Sequence, residues 1–229
     1  MNASGLLATG GERDAKAPEP VIDHLLGRML EASQDNAERL IGAVQRVTRE
    51  LSSLTFSFNG HIIRSGIRSV ELQALDHQLD EASSVLNHTV FDLQQRLLRD
   101  ALSLKPLTRI FDVVDLEDDR PADIRLREHI DIYCEALERE YEGIRETLAA
   151  LSFRLALMGN NIEISACRAG STDVSAPVDL FCVMANQLRL LADRLRNATA
   201  DLRIFQQSQN GYAESLRVTL ANYSRGTAA

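Results

Sequence analysis

The chain of 229 residues is acidic, with 25 Lys and Arg residues against 33 Asp and Glu residues and a net charge of −8 at pH 7. This balance excludes nucleic-acid binding that depends on a basic surface making phosphate contacts. The length allows one or two domains with a sizeable core. Aromatic residues make up 5% of the chain and Trp is absent, whereas Ala, Leu, Arg and Glu are abundant. This composition favours helices, so we expect an all-α protein with no nucleic-acid partner.

The sequence shows no recognisable membrane span or secretory signal. The longest uncharged run with apolar character, residues 51–63, is too short to cross a bilayer and contains Asn59, Gly60 and His61. The polar residues 1–19 are predicted to be a disordered tail, because their apolar part is too short for a signal peptide. The three cysteines are widely spaced and match no disulfide or zinc-finger pattern, which favours a reducing compartment. We therefore expect a cytoplasmic protein.

Residues 20–105 are predicted to form an N-terminal helical region. Apolar residues recur every three or four positions from Leu26 to Leu51 and again from Val70 to Leu104, as in helices with one buried face. Residues 54–70 are ambiguous, because glycines weaken a helix there while Phe56 and three other large apolar residues supply bulk. A kink, a turn between two helices and a continuous helix held by packing all remain possible.

Residues 106–120 are predicted to connect this region to the rest of the chain. Pro106 ends the preceding helix, and the segment carries a short apolar patch and the acidic cluster Asp115–Asp119. A solvated loop that caps the next helix explains this cluster best, because negative charge is favourable at a helix N-terminus. Metal binding is the main alternative.

A long antiparallel helical hairpin is predicted over residues 121–224, with a reversal bracketed by Gly170 and Pro177. Glycine suits a helix C-cap, and proline suits the first turn of the next helix. Both arms repeat apolar residues at coiled-coil spacing, with one stutter at Leu137–Tyr141, so we expect a supercoiled rod about 65 Å long. The repeating positions are Leu126, Ile130, Tyr133, Leu137, Tyr141, Ile144, Leu148, Leu151, Leu155, Met158 and Ile162, then Met184, Leu188, Leu191, Leu195, Ala198, Leu202, Phe205, Gln209, Tyr212 and Leu216.

Two stretches flanking the reversal resemble the signalling tip of bacterial methyl-accepting chemotaxis proteins. NIEISACRAG, residues 161–170, repeats the NxxIxAxRAG core of that tip, and Phe153 and Leu157 fit the apolar run that precedes it. FCVMANQLRLLADRL, residues 181–195, is similar to the FAVVAxEVRxLAxRS motif beyond the family's turn. The resemblance covers residues 151–195.

The resemblance implies a cytoplasmic antiparallel hairpin that dimerises into a four-helix bundle. In that family the tip contacts other receptor dimers, a histidine kinase and its coupling protein. We therefore expect a homodimer that signals through such partners and is not an enzyme. An alternative is that the apolar matches are plain core residues and the arginines plain surface. The matching positions are Phe153, Leu157, Asn161, Ile164, Arg168, Val183 and Arg189.

The chain also departs from the family pattern. Carboxylates usual in the tip are replaced by Ser165, Ser171 and Gln187, so three anions that would pair with the arginines are missing. The turn is longer, and candidate methylation pairs are poorly represented. The sequence thus resembles a diverged, receptor-like signalling protein more than a complete chemoreceptor.

Two alternative functions remain open. The first is a structural or adaptor coiled-coil protein that has lost kinase control. The second is a helical sensor of a small ligand or metal, because His77 and His88 lie about three helical turns apart and share a face. No HExxH, GxSxG, CxxC or phosphate-binding glycine loop is present. We expect no catalytic site, no metal and no cofactor.

Overall fold

The computed structural model describes residues 19–65, 70–104, 122–172 and 178–227, and all of these are helical. The described helices are α1 (Glu19–Ser65), α2 (Val70–Leu104), α3 (Ala122–Thr172) and α4 (Val178–Thr227). The predicted all-α class is confirmed. The tail predicted over residues 1–19, apart from Glu19, the connector predicted over 106–120, and Pro177 lie outside the described residues. Helix α3 continues through Gly170, so it ends later than the sequence predicted.

The described helices form an up-down-up-down bundle. Each helix packs on two neighbours, α1 on α2 and α4, and α3 on α2 and α4. The pairs are antiparallel, since Met29 of α1 meets Gln209 of α4 whereas Phe58 meets Phe181. Consequently Ser65, Val70, Thr172 and Val178 lie at one end of the bundle, which we call the tip. The α1–α2 pair and the α3–α4 pair are the two hairpins of the bundle.

The core follows the repeating apolar positions of all four helices. Every repeating position of α3 is buried, and those of α4 are buried except Tyr212, beside which Ala213 is buried instead. The residues of α1 and α2 that belong to the same cluster include Leu26, Val44, Leu51, Leu72, Leu79 and Leu86. The seams of α3 and α4 are therefore covered by the chain's own α1 and α2. None of the described helices is long and apolar enough to cross a membrane.

Residues 54–65 continue α1 without a break. Phe58 and Ile62 are buried, and the Phe58 ring meets the Phe181 ring edge-on with centroids 5.6 Å apart. Phe56 and Ile63 point outward instead, with 83% and 72% of their surfaces exposed. Packing of the inner face therefore outweighs the low helix propensity of Gly60.

A buried polar group joins three helices far from the tip. Gln209, which is fully buried, accepts a hydrogen bond from the Tyr133 hydroxyl at 3.3 Å, and its Nε2 donates to the Met29 carbonyl oxygen at 3.2 Å. Nearby, the buried side chain of Gln206 accepts from Arg145 at 3.3 Å. Polar pairs in an apolar seam fix one register, because a shifted register would bury these groups without partners.

Gln209→Leu is expected to lower the free energy of unfolding by about 1–3 kcal/mol, because it removes the acceptor of the buried Tyr133 hydroxyl. Adding Tyr133→Phe removes the donor as well, and we expect the double variant to recover part of this loss. Urea denaturation of both single variants and the double variant measures the coupling. Strictly additive losses would show that the two groups do not stabilise each other.

Helices α3 and α4 approach each other closely at Gly159. A Cβ built at this position would lie 2.8 Å from the backbone oxygen of Ala185, closer than real Cβ contacts, and 3.4 Å from the Cγ of Arg189. Backbone atoms cannot rotate away as a flexible side chain can. Only glycine allows the two helices this separation, and on the same helix a Cβ at exposed Gly143 would meet nothing within 4 Å.

Gly159→Ala is expected to lower the free energy of unfolding by about 1–3 kcal/mol, as overpacking in a core does. Gly143→Ala is the matched control and should raise it by roughly 0.5–1 kcal/mol, because alanine is the better helix former. Urea denaturation of both variants checks the pair. Equal stabilisation by the two changes would contradict the close helix contact.

Candidate functional site

The four apolar side chains that match tip contacts are exposed. Phe153 is 70% exposed, Leu157 48%, Ile164 50% and Val183 53%. Leu155, Met158 and Met184, which are close to them in sequence, are buried, so the exposed set points away from the core that the buried set joins. The interpretation of these four residues as plain core is therefore wrong. Exposed apolar residues of this size mark binding surfaces where they form a patch.

The seven matching residues do not form one patch. Phe153 lines a groove between α3 and α4, Arg168 contacts α2, and Val183 lines a groove between α1 and α4. Phe153 lies 19 residues before the end of α3, about 28 Å from the tip at ~1.5 Å per residue. The matching residues therefore surround the tip half of the bundle.

Arg168 pairs with a carboxylate of α2. Its Nη1 lies 3.5 Å from Oε1 of Glu71, and the Ser165 hydroxyl donates to Oε2 of the same residue at 3.1 Å. Glu71 thus supplies the anion beside Arg168, although it lies 97 residues from Arg168 in sequence. Sequence reasoning missed Glu71 because no local pattern indicates so distant a pair.

Arg189 is held over the α3–α4 contact. Its Nε donates to Oδ1 of Asn160 at 3.0 Å, its Nη1 donates to Oδ1 of Asn186 at 2.7 Å, and its Nη2 pairs with Glu163. A planar guanidinium binds several acceptors in fixed directions, so these contacts define its orientation. Asn161, by contrast, is exposed beside this network.

Three ion pairs join the two hairpins along the tip half. Arg154 pairs with Glu81 at 2.9 Å, Arg168 with Glu71 at 3.5 Å, and Arg194 pairs with Glu50. In each pair α3 or α4 supplies the arginine and α1 or α2 the glutamate. Exposed pairs of this kind contribute only about 0–1 kcal/mol each. Their main effect is to make one hairpin electrostatically complementary to the other.

The histidines and cysteines form no metal site among the described residues. No group of three or more His, Cys, Asp or Glu side chains there is arranged to hold a metal ion, and His77 and His88 are exposed on α2. Cys134, Cys167 and Cys182 are all free thiols. Cys167 and Cys182 lie on facing arms near the tip, and Cys167 is the exposed one of the three.

Burial raises the pKa of the Cys182 thiol, and the neighbouring Cys167 and Glu163 raise it further. The pKa of Cys134 is also raised, again chiefly by burial. A raised thiol pKa lowers the thiolate fraction at a given pH, and the thiolate is the reactive form.

Alkylation of the folded protein at pH 8 is therefore expected to modify Cys167 several-fold faster than Cys134 or Cys182. Raising the pH should accelerate Cys182, because its raised pKa leaves more thiol to ionise. Mass spectrometry of peptides after timed treatment with iodoacetamide gives the three rates. Equal rates in folded and urea-unfolded protein would contradict the packing described near the tip.

No protein-family model matches the chain, and neither a curated protein nor a solved structure matches it. The resemblance to the chemotaxis signalling tip rests on residues 151–195 alone and stays a prediction.

Proposed function

We propose that this chain is a cytoplasmic, non-enzymatic signalling protein of the chemoreceptor-like kind, which acts through protein contacts around the tip half of its bundle. One observation carries the proposal. Phe153, Leu157, Ile164 and Val183 match the apolar tip contacts of that family, and all four are exposed although apolar repeats beside them are buried. An apolar side chain that points away from the core is available to a partner.

The partner class follows from the resemblance. A chemotaxis histidine kinase and its coupling protein are the first candidates, and other receptor-like dimers are the next. Arg168 and Arg189 supply the cationic part of the surface, with side chains 70% and 35% exposed. Both arginines are oriented by carboxylates of the same chain, so the surface is organised before a partner binds.

Signal transfer is proposed to run through the packing of the two hairpins. Glu71 lies in the first turn of α2 and contacts Ser165 and Arg168 of α3. A shift of α1–α2 along α3–α4 would move this carboxylate and release or reorient Arg168. Two discrete packings of the hairpins would then bias a bound partner, as helix shifts do in other switching proteins.

An adaptor role is the second candidate, and the same ion pairs favour it. Glu71 and Glu163 already neutralise Arg168 and Arg189, so the charged part of the surface needs no kinase to balance it. In this case the apolar residues hold a structural partner and no phosphoryl flow is controlled.

A homodimer is part of the proposal. The seam that the family uses for dimerisation is filled here by α1 and α2 of the same chain. A second copy would therefore bind to an outer face of the bundle.

Arg168→Glu is expected to abolish capture of a chemotaxis kinase and coupling protein by the purified chain, because the reversed charge repels Glu71 and the partner's acceptors. Arg99→Glu is the matched control. Arg99 is 68% exposed and pairs with one carboxylate, Glu140, at 3.6 Å, but it lies near the C-terminal end of α2, away from the tip half. We expect this control to bind as the unaltered chain does. Pull-down with both partners present gives the comparison.

Two outcomes would reject the signalling assignment. Absence of binding by the unaltered chain would remove the kinase as partner, and equal loss with both variants would show a general charge effect. Binding without any change in kinase autophosphorylation would favour the adaptor role.

A further inference from the structure

We infer that Cys167 of α3 and Cys182 of α4 form a reversible disulfide when the protein meets a small soluble disulfide, and that this bond fastens the two helices together near the tip. The proposed function uses neither thiol. Because the bond depends only on the packing of α3 against α4, it can form whether or not a kinase binds the chain.

The contact between α3 and α4 repeats after seven residues on each helix. Ser152 of α3 donates a hydrogen bond to the backbone oxygen of Ala192 at 2.8 Å. Seven residues nearer the tip on both helices, a Cβ at Gly159 would lie 2.8 Å from the backbone oxygen of Ala185. Equivalent positions thus meet in two successive heptads. A seven-residue repeat of this kind keeps one register along a pair of helices.

Small residues on this line of α3 allow the helices to lie close together. Ser152 and Gly159 are followed, after seven more residues, by Ala166, which is fully buried. The distance between two packed helices depends on the side chains at their contact, and small ones shorten it. Both helices are still present at the level of Ala166, since α3 runs to Thr172 and α4 begins at Val178. The close packing therefore reaches the neighbour of Ala166, which is Cys167.

The residues beside this line face each other across the two helices. Phe153 of α3 and Arg196 of α4 line the same groove. Seven residues nearer the tip on both helices, Nε of Arg189 donates a hydrogen bond to Oδ1 of Asn160 at 3.0 Å. Positions that are opposite in one heptad therefore stay opposite in the next.

Cys167 and Cys182 occupy the next pair of positions in this series. Cys167 lies seven residues after Asn160, and Cys182 lies seven residues before Arg189. The register therefore places the two thiols opposite each other. Burial is the main cause that raises the pKa of the Cys182 thiol, and the charge of Cys167 is the next, as expected for thiols that lie close together.

The bond forms by two thiol–disulfide exchanges. The thiolate of Cys167, which is the exposed thiol, attacks one sulfur of oxidised glutathione and releases the first glutathione thiolate. The thiolate of Cys182 then attacks the Cys167 sulfur of this mixed disulfide and releases the second. The two protons of the protein thiols pass to the two glutathione thiolates. The protein loses two electrons, and the small disulfide gains them.

Oxidation would tie α3 to α4 beside two residues of the matching set. Arg168 and Val183 each follow one of the two cysteines in sequence. The bond would restrain both positions, and reduction by cellular thiols would release them. Disulfides in reducing compartments are usually transient and redox-sensing. This consequence for the surface rests on the proposed function, whereas the bond itself does not.

The third cysteine lies too far away to take part within one chain. Cys134 precedes Cys167 by 33 residues on the same helix, which is about 50 Å at ~1.5 Å per residue. A disulfide requires Cα atoms within about 7 Å of each other. Cys134→Ser is therefore the matched control for the two cysteines near the tip.

Exchange of the full chain with oxidised glutathione tests the inference. Free thiols are then blocked with N-ethylmaleimide, and the protein is digested with trypsin without reduction. Trypsin cleaves after arginine and so separates the two thiols into the adjacent peptides 155–168 and 169–189. We expect mass spectrometry to find these two peptides joined by a disulfide.

Three variants test where the bond forms. Cys134→Ser should give as much linked peptide as the unaltered chain. Cys182→Ser should instead keep glutathione on Cys167, because no second thiol displaces it. Adding Asn186→Cys to Cys182→Ser moves the thiol one helical turn along α4. We expect at least about tenfold less linked product from this variant, because a turn of ~5.4 Å takes the sulfurs out of disulfide geometry.

The unfolded chain provides a further comparison, because Cys167 and Cys182 are only 15 positions apart in sequence. A flexible loop of that length brings its ends together at an effective concentration on the order of millimolar. Helices that hold the thiols opposite each other should do better. At one glutathione ratio, we expect the ratio of linked peptide to mixed disulfide to be at least about tenfold higher in folded protein than in urea-unfolded protein.

Four results would overturn the inference. They are glutathione retained on Cys167 of the unaltered chain without linked peptide, as much linked product from the Asn186→Cys variant, a ratio no higher in folded than in unfolded protein, and a bond that joins two copies of peptide 155–168 from different chains. Circular dichroism confirms that each variant keeps the bundle. Failure of kinase capture while the disulfide forms would reject only the proposed function.

Discussion

The structure depends on one apolar seam that all four described helices share. Repeating residues such as Leu148 of α3 and Leu202 of α4 need a cover, and α1 and α2 supply it within the same chain. Burying each such side chain contributes about 1.5–3 kcal/mol before conformational entropy is counted. Hydrophobic burial is not directional, so polar groups fix the register of one helix against another. The main such group is Gln209, which joins α1, α3 and α4. Exposed ion pairs then add complementarity between the hairpins.

Because α1 and α2 cover the seam, the resemblance to a chemoreceptor tip cannot imply the same dimer contact. A hairpin of that family completes its four-helix bundle with a second chain, whereas here α1 and α2 occupy that place. The arginines of the matching stretches consequently find carboxylates in cis, and Arg168 finds Glu71. Ser165 donates to the same Glu71, so the surface is organised without a carboxylate at position 165. In the proposed mechanism, a packing change between the hairpins would act on the charged and the apolar parts of that surface together.

Periodicity predicted most of the fold, because a three- and four-residue spacing directly reports which side of a helix is buried. It was reliable for α3, where every repeating residue is buried. It could not decide the conformation of residues 54–70. The helix continues to Ser65 because of contacts such as that of Phe58 with Phe181, which lie 123 positions apart in sequence. The same limit hid the pairing of Glu71 and Glu81 with α3. Exposure of Phe153 and Val183 was likewise undecided, because a local pattern shows two apolar residues without showing which faces a neighbouring helix.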